Sequence, residues 1–222
     1  MRRSLRVGAA CLLVVLAGCA AGGVFATGDN STEPPRIQFE DATADAGLAY
    51  EASGGGVGNG NSGVYVADVD RDSWPDILAV GGTAPALFEN QNGTFSRRDS
   101  FPSVEGAVKS ASFVDVEGDG WPDLILFARD GTVHAFDNNR GTFEPTEYGL
   151  GNLTYPLGAA AADYDGDGDT DLFVYQSGSW REQKPAGYFS PNASVDVDNG
   201  NPNYLYENAG GAYQRVQTDS IE

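Results

Sequence analysis

The sequence predicts an all-β protein made of four-stranded antiparallel units, and three observations support this class. The chain of 222 residues contains 30 glycines and 11 prolines, too many for a helical bundle but suited to a turn-rich sheet protein. An acidic nine-residue motif occurs three times at nearly constant spacing. Short apolar runs of strand length flank every copy of the motif. With 41% apolar residues, the chain can also bury a core.

The acidic motif begins at Asp68, Asp115 and Asp163, so its copies start 47 and 48 residues apart. Each copy places an acidic residue at its first, third, fifth and ninth positions. An acid content of this size predicts roughly 0.1 such matches by chance, so three matches in register indicate a repeat. The twelve acidic residues are Asp68, Asp70, Asp72, Asp76, Asp115, Glu117, Asp119, Asp123, Asp163, Asp165, Asp167 and Asp171.

Each repeat is predicted to form four short strands. One apolar run precedes the motif and another follows it, as in Gly63–Ala67 and Ile77–Val80. The runs before the second and third motifs are Ser110–Val114 and Gly158–Ala162. An alternating stretch such as Ala86–Asn90, a turn and a last strand such as Thr94–Ser96 complete the unit. Four strands in about 45 residues is the size of a propeller blade. The repeats are predicted at about 63–110, 111–157 and 158–222, the third with a polar insertion at about 177–203.

These units resemble the FG-GAP/VCBS-type repeats of integrin alpha-chain β-propellers over about residues 37–222. The resemblance implies a β-propeller of four-stranded antiparallel blades in which each motif is a calcium loop between the first two strands. The segment Ile37–Leu48 resembles the last-strand segment that recurs between such repeats, and it would close a ring by joining the final blade. Three blades cannot close a ring. We therefore expect an incomplete propeller, either a fragment of a larger one, a homo-oligomeric ring or an open arc.

The motif also suits calcium on chemical grounds, because calcium takes six to eight oxygen ligands. Acids at positions 1, 3 and 5 of a tight loop converge on one point, and the ninth residue reaches back as the last ligand. Glycine at position 6 allows the left-handed kink that folds the loop. We expect up to three structural calcium ions held by the twelve acids. The third site should bind most tightly, then the second, where Glu117 is longer than aspartate, then the first, where Ser73 replaces glycine. The alternative is a set of solvated acidic turns.

The first 19 residues are predicted to be an export signal. Arg2, Arg3 and Arg6 form a basic start, and the apolar run at 7–18 is too short to span a bilayer.

The end of this run, Leu16-Ala17-Gly18-Cys19, resembles the lipobox of prokaryotic lipoproteins. The resemblance implies that Cys19 is lipidated after cleavage, so that the protein is anchored in the membrane at the cell surface. A non-lipidated signal cleaved near Ala26, giving a secreted protein, is the alternative. Residues 20–36 are predicted to be a flexible tether between the anchor and the domain.

The charge and the composition of the chain argue against several classes of function. A net charge of −19 argues against binding nucleic acid or docking on an anionic membrane through a basic patch. The acid excess, with only two lysines, is typical of exported proteins of salt-loving archaea. One histidine, His134, is a poor basis for a catalytic triad or a zinc site.

The sequence therefore predicts a surface binding module that recognises a protein or a glycan and has no catalytic role. The alternative is an accessory or substrate-binding part of an extracellular hydrolase or sugar-active enzyme, although no nucleophile–base pair is evident. Trp180, in the insertion, is a candidate contact residue.

Overall fold

The computed structural model describes residues 37–51, 62–82, 84–104, 107–151, 153–176, 180–181, 184–185 and 201–216. The predicted signal, Cys19, the tether and most of the insertion lie outside these residues. The chain divides into two units, residues 1–42 and 43–222. In the first unit, residues 37–42 form neither strand nor helix, and the side chains of Ile37 and Phe39 are exposed.

The described residues form fourteen β-strands and no helix, which confirms the predicted all-β class. In this part of the chain there is accordingly no helix with the length and apolarity to cross a bilayer. The strands are β1 Gly63–Ala67, β2 Asp76–Val80, β3 Ala86–Gln91, β4 Thr94–Arg97, β5 Val108–Val114, β6 Asp123–Ala128, β7 Val133–Asn139, β8 Thr142–Thr146, β9 Pro156–Ala162, β10 Asp171–Gln176, β11 Trp180–Arg181, β12 Lys184–Pro185, β13 Tyr204–Asn208 and β14 Tyr213–Arg215.

Twelve of these strands form three four-stranded antiparallel sheets, one for each predicted repeat. Their orders are β1-β2-β3-β4, β5-β6-β7-β8 and β9-β10-β13-β14. The first strand of each sheet contacts the first strand of the next, β1 with β5 and β5 with β9. Propeller blades are arranged in this way around a central axis. The sheets do not close into a barrel, and the prediction of an incomplete propeller is confirmed.

The insertion lies between β10 and β13 of the third sheet, where β11 and β12 form a separate two-stranded hairpin. Because neighbouring strands are antiparallel, the motif loops and the turns between third and fourth strands lie at the same ends of the strands. This side of the molecule, formed by strand ends and not by an outermost strand, is here called the motif edge. The connections between second and third strands, including the insertion, lie at the opposite edge.

Alternating side chains pack the sheets face to face, as the two-residue period of a strand requires. Leu78 and Val80 of the first sheet pack in one layer with Leu124 and Leu126 of the second sheet. The opposite face of the second sheet packs on the third through a further layer that includes Ile125, Phe127, Leu172 and Val174. Strand β6 is covered on both faces, so all six of its residues are buried.

Two strands begin earlier than the sequence pattern predicts. Strand β5 starts at Val108 instead of Ser110, and β9 starts at Pro156 instead of Gly158. In each strand the pairing register shifts by one residue near its start. A bulge of this kind breaks the alternation on which the strand prediction depends.

A buried asparagine near the end of the third strand ties the second and third sheets each to the preceding sheet. The Asn138 side-chain amide donates to the Pro122 carbonyl in its own sheet at 3.0 Å and to the Val69 carbonyl in the first sheet at 2.9 Å. Its Oδ1 accepts from the Gly141 N–H at 2.8 Å. Asn208 repeats the contact between sheets by donating to the Val116 carbonyl at 2.8 Å. These residues and Asn90 are here called the strand-end asparagines.

The variant Asn138→Asp is expected to lower the free energy of unfolding by about 3 kcal/mol or more. Asn138 is fully buried, and its side-chain amide donates to two carbonyl oxygens. In the variant a carboxylate oxygen takes the place of this amide, so that three hydrogen-bond acceptors face one another without a donor. Urea unfolding in calcium measures the effect. The matched control is Asn139→Asp, because Asn139 is adjacent and exposed. Equal stability of the two variants would contradict the role of Asn138.

Candidate metal centres

The first acid of every motif folds the loop by accepting backbone N–H groups. Asp68 accepts from the Asp72 N–H at 3.1 Å and from the Ser73 N–H at 2.9 Å. Asp115 makes the same pair of bonds at 3.0 and 2.7 Å. Asp163 accepts from the fourth and sixth residues of the third motif. The three loops therefore share the bond from the sixth-residue N–H to the first acid, and the third loop takes its second bond from the fourth residue instead of the fifth.

Two left-handed residues bend each loop. The sixth position has positive φ in all three loops, 75° at Ser73, 87° at Gly120 and 100° at Gly168, as the sequence predicts. The fourth position is also left-handed, which was not predicted, although the second and third motifs carry glycine there. In the first motif this residue is Arg71, with φ of 58°. Its guanidinium lies 5.3 Å from the centre of the Trp121 ring in the second loop, a cation–π contact.

The variant Ser73→Gly is expected to raise the free energy of unfolding by about 0.5–1 kcal/mol, because it removes left-handed strain while keeping the backbone N–H that Asp68 accepts. The control is Ser96→Gly, at an exposed position of β4. There the same change should lower stability by about 0.5–1 kcal/mol. Thermal or urea unfolding measures the stability of both variants. A Ser73→Gly protein less stable than the parent would show that the left-handed backbone at Ser73 is not strained.

The ninth acid of each motif is deeply buried and joins three parts of its sheet. Asp123 is 1% exposed, and its two oxygens accept from the Val116 N–H and the Asn138 N–H, both at 2.8 Å. The other two ninth-position acids accept from the equivalent pairs, Asp76 from Val69 and Asn90, and Asp171 from Tyr164 and Asn208. A carboxylate has about four lone-pair sites, so these bonds leave capacity for a cation.

Burial raises the pKa of two of these carboxyls. Burial raises the pKa of Asp76, and the negative charges of Asp70 and Asp72 raise it further. For Asp123, burial and the neighbouring Glu117 raise the pKa to about 7. Without a cation, the carboxylates of the motif therefore oppose one another's ionisation. A bound cation would relieve this repulsion.

The first and third motifs bring three acids together at positions 1, 3 and 9. In each, the three side chains offer one oxygen apiece, all within 4.8 Å of one another. The two clusters are Asp68, Asp70 and Asp76, and Asp163, Asp165 and Asp171. Such hard oxygen donors fit calcium. Both loops can therefore hold a metal ion.

The fifth-position acids are not part of these two clusters. Asp72 and Asp167 instead accept from the N–H two residues further on, Trp74 at 2.7 Å and Asp169 at 2.9 Å. Their role as ligands stays a prediction from the sequence.

The second motif forms a different cluster, made of Glu117, Asp123 and Asp137. Asp115 and Asp119 are not in it, and their predicted role as ligands is untested. Asp137 lies on β7, outside the motif, and was not predicted. Tyr148 donates its hydroxyl to Glu117 at 3.1 Å. Burial, with the charges of Glu117 and Asp119, raises the pKa of the Asp137 carboxyl.

A signal for Asp137 is present in the sequence. An acid precedes the strand-end asparagine in every repeat, as Glu89, Asp137 and Glu207. In the second repeat alone this acid is the shorter aspartate, and only there does it join an acidic cluster among the described residues.

The variant Asp137→Asn is expected to weaken calcium binding at one of the sites about tenfold, because it removes one charged oxygen ligand. The matched control is Glu207→Gln at the equivalent, exposed position of the third sheet. Isothermal titration with calcium compares the two variants with the parent. An unchanged titration for Asp137→Asn would show that Asp137 is not a ligand.

Comparison with known proteins agrees with this geometry. The family model of the FG-GAP-like repeat matches residues 68–126 and 115–174. Each match begins at the first acid of a motif and extends into the second strand of the next sheet. Two FG-GAP-like repeats are thus detected, and the fold defines a propeller-type repeat protein.

Comparison with curated proteins gives no match to this sequence. Among solved structures, the chain is similar to an Agrocybe aegerita lectin described as specifically recognising non-reducing terminal N-acetylglucosamine. The identity is 17% and the TM-score is 0.44, over 82% of this chain and 42% of the lectin chain. The chain therefore spans less than half the length of that protein.

Proposed function

We propose that the protein is a calcium-stabilised, exported binding module without a catalytic role, and that its ligand is a protein or a glycan. The observation that carries this proposal is the separation of two features by the sheet topology. The acidic clusters lie at the motif edge, and the insertion leaves and re-enters the third sheet at the opposite edge. In this proposal the motif edge binds the metal ions, and the opposite edge, with the insertion, binds the protein or glycan ligand.

Calcium has a structural role in this proposal. The ninth-position acids already hold each sheet together, and an ion beside them would be enclosed by the loop's own oxygens. Such an ion offers little room for a substrate. At about a hundredfold excess over its dissociation constant, each ion would add about 2.7 kcal/mol to stability.

The two ends of the insertion are held firmly against the sheet. Gln176 is 8% exposed and accepts from the Thr154 N–H at 2.7 Å through its side chain. Its backbone N–H donates to Asn203 at 2.9 Å, and its side-chain amide donates to the Pro202 carbonyl. A base fixed in this way lets the intervening loop carry recognition residues without disturbing the core. Trp180 lies within this loop and stays the candidate contact.

The export signal and the lipid anchor at Cys19 complete the proposal. They place the module at the cell surface, or in the medium if the signal is cleaved without lipidation. The net charge of −19 favours partners other than nucleic acids.

Screening a glycan array and a panel of cell-surface proteins tests the function. The parent protein in calcium should bind a ligand, and the chelated protein should lose both binding and cooperative unfolding. A variant with residues 178–200 replaced by a short Gly-Ser linker should lose binding but keep the parent's unfolding free energy in calcium.

Two results would contradict the proposal. Binding that survives both chelation and shortening would remove the roles of calcium and of the insertion. Turnover of a glycoside by protein that no longer binds would instead favour the enzymatic alternative.

A further inference from the structure

We propose that the protein associates head to tail with a second copy of itself. In this arrangement the outer face of the third sheet docks on the outer face of the first sheet of the neighbouring copy. The chain makes one type of contact twice between its own sheets. It also carries an unused donor for this contact on the first sheet and an unused acceptor on the third sheet.

The internal contact has the same two parts each time. The strand-end asparagine of the later sheet donates to the carbonyl of the second motif residue of the earlier sheet, Val69 or Val116. The glycine of the adjacent turn packs on the third motif residue. A Cβ at Gly141 would lie 3.4 Å from the Asp70 side chain, and one at Gly211 would lie 3.2 Å from the Glu117 side chain.

The first sheet carries the unused donor half. Asn90 is held like its counterparts, donating to the Pro75 carbonyl at 2.9 Å and accepting from the Gly93 N–H at 2.8 Å. Its amide reaches no motif of another sheet among the residues described. A Cβ at Gly93 would meet no atom within 4 Å, which leaves the space that a neighbouring motif fills in the other two turns.

The third sheet carries the unused acceptor half. Its second motif residue is Tyr164, and no described residue donates a hydrogen bond to the Tyr164 carbonyl. The Tyr164 side chain is 48% exposed, whereas Val69 and Val116, at the same motif position, are 0% and 2% exposed. Another sheet packs on the motifs of Val69 and Val116, whereas no sheet among the described residues packs on the motif of Tyr164.

The apolar surfaces of the two outer faces support the same pairing. On the first sheet, Val64 and Val66 are 67% and 61% exposed beside a cavity of about 390 Å³ that Tyr50 and Ala79 help to line. On the third sheet, Tyr175 is 42% exposed. Its equivalents, Val80 and Phe127, are 1% and 0% exposed because a following sheet covers them.

A second copy fits because each chain offers both complementary faces. A contact between two different faces is heterologous and generates a closed ring or an open filament. Two copies would supply about six sheets, within the range of closed propellers. The contact would extend the two interfaces already present within the chain.

Sedimentation equilibrium of the full chain in calcium, in a Cys19→Ser background that removes the lipid, tests the proposal. The parent should form a dimer or larger assembly. Val66→Glu and Tyr175→Glu each charge one exposed face and should raise the dissociation constant about a hundredfold or more. The control is Thr142→Glu, at an exposed position of the middle sheet, which should associate like the parent.

Mixing the two variants distinguishes head-to-tail association from other arrangements. An equimolar mixture retains one intact face from each protein and should form a dimer although neither variant associates alone. A monomeric parent would overturn the proposal, as would self-association by one of the two variants, failure of the mixture, or loss of association in the control.

Discussion

In each sheet, the two oxygens of a buried aspartate accept backbone N–H groups from the motif loop and from the third strand. Asp123 is representative, because it joins Val116 in the loop to Asn138 at the end of β7. Burying a carboxylate is costly unless its oxygens are satisfied, and these two bonds supply part of that compensation. Burial, with the neighbouring Glu117, still raises the pKa of Asp123. The fold and the proposed metal sites therefore depend on the same group.

The asparagine that donates its N–H to this carboxylate also sets the distance between sheets. Its side chain reaches the preceding loop, so the position of one motif fixes the position of the next sheet. Repetition of this contact explains why the packing layers between the first and second sheets and between the second and third are alike. It also explains why the first sheet keeps an unused donor, Asn90, and the third sheet an unused acceptor, the Tyr164 carbonyl.

The sequence predicts the local elements well, because strand alternation and motif spacing are properties of nearby residues. It does not predict contacts between residues far apart in the chain. Asn208 bonds to Val116, 92 residues away, and the recurrence of asparagine at this place in all three repeats does not reveal that partner. Asp137 was missed because it joins its cluster from another strand. The left-handed Arg71 was missed because only glycine signals that conformation reliably.

Native-state hydrogen exchange of the Val116 and Asn138 amides, in calcium, tests the central role of the buried carboxylate most directly. Both N–H groups donate to Asp123, so they should exchange only through global unfolding, at the same free energy as the Leu126 amide in the core strand. Exchange of either amide at a much lower free energy, as in a locally opening loop, would contradict the account.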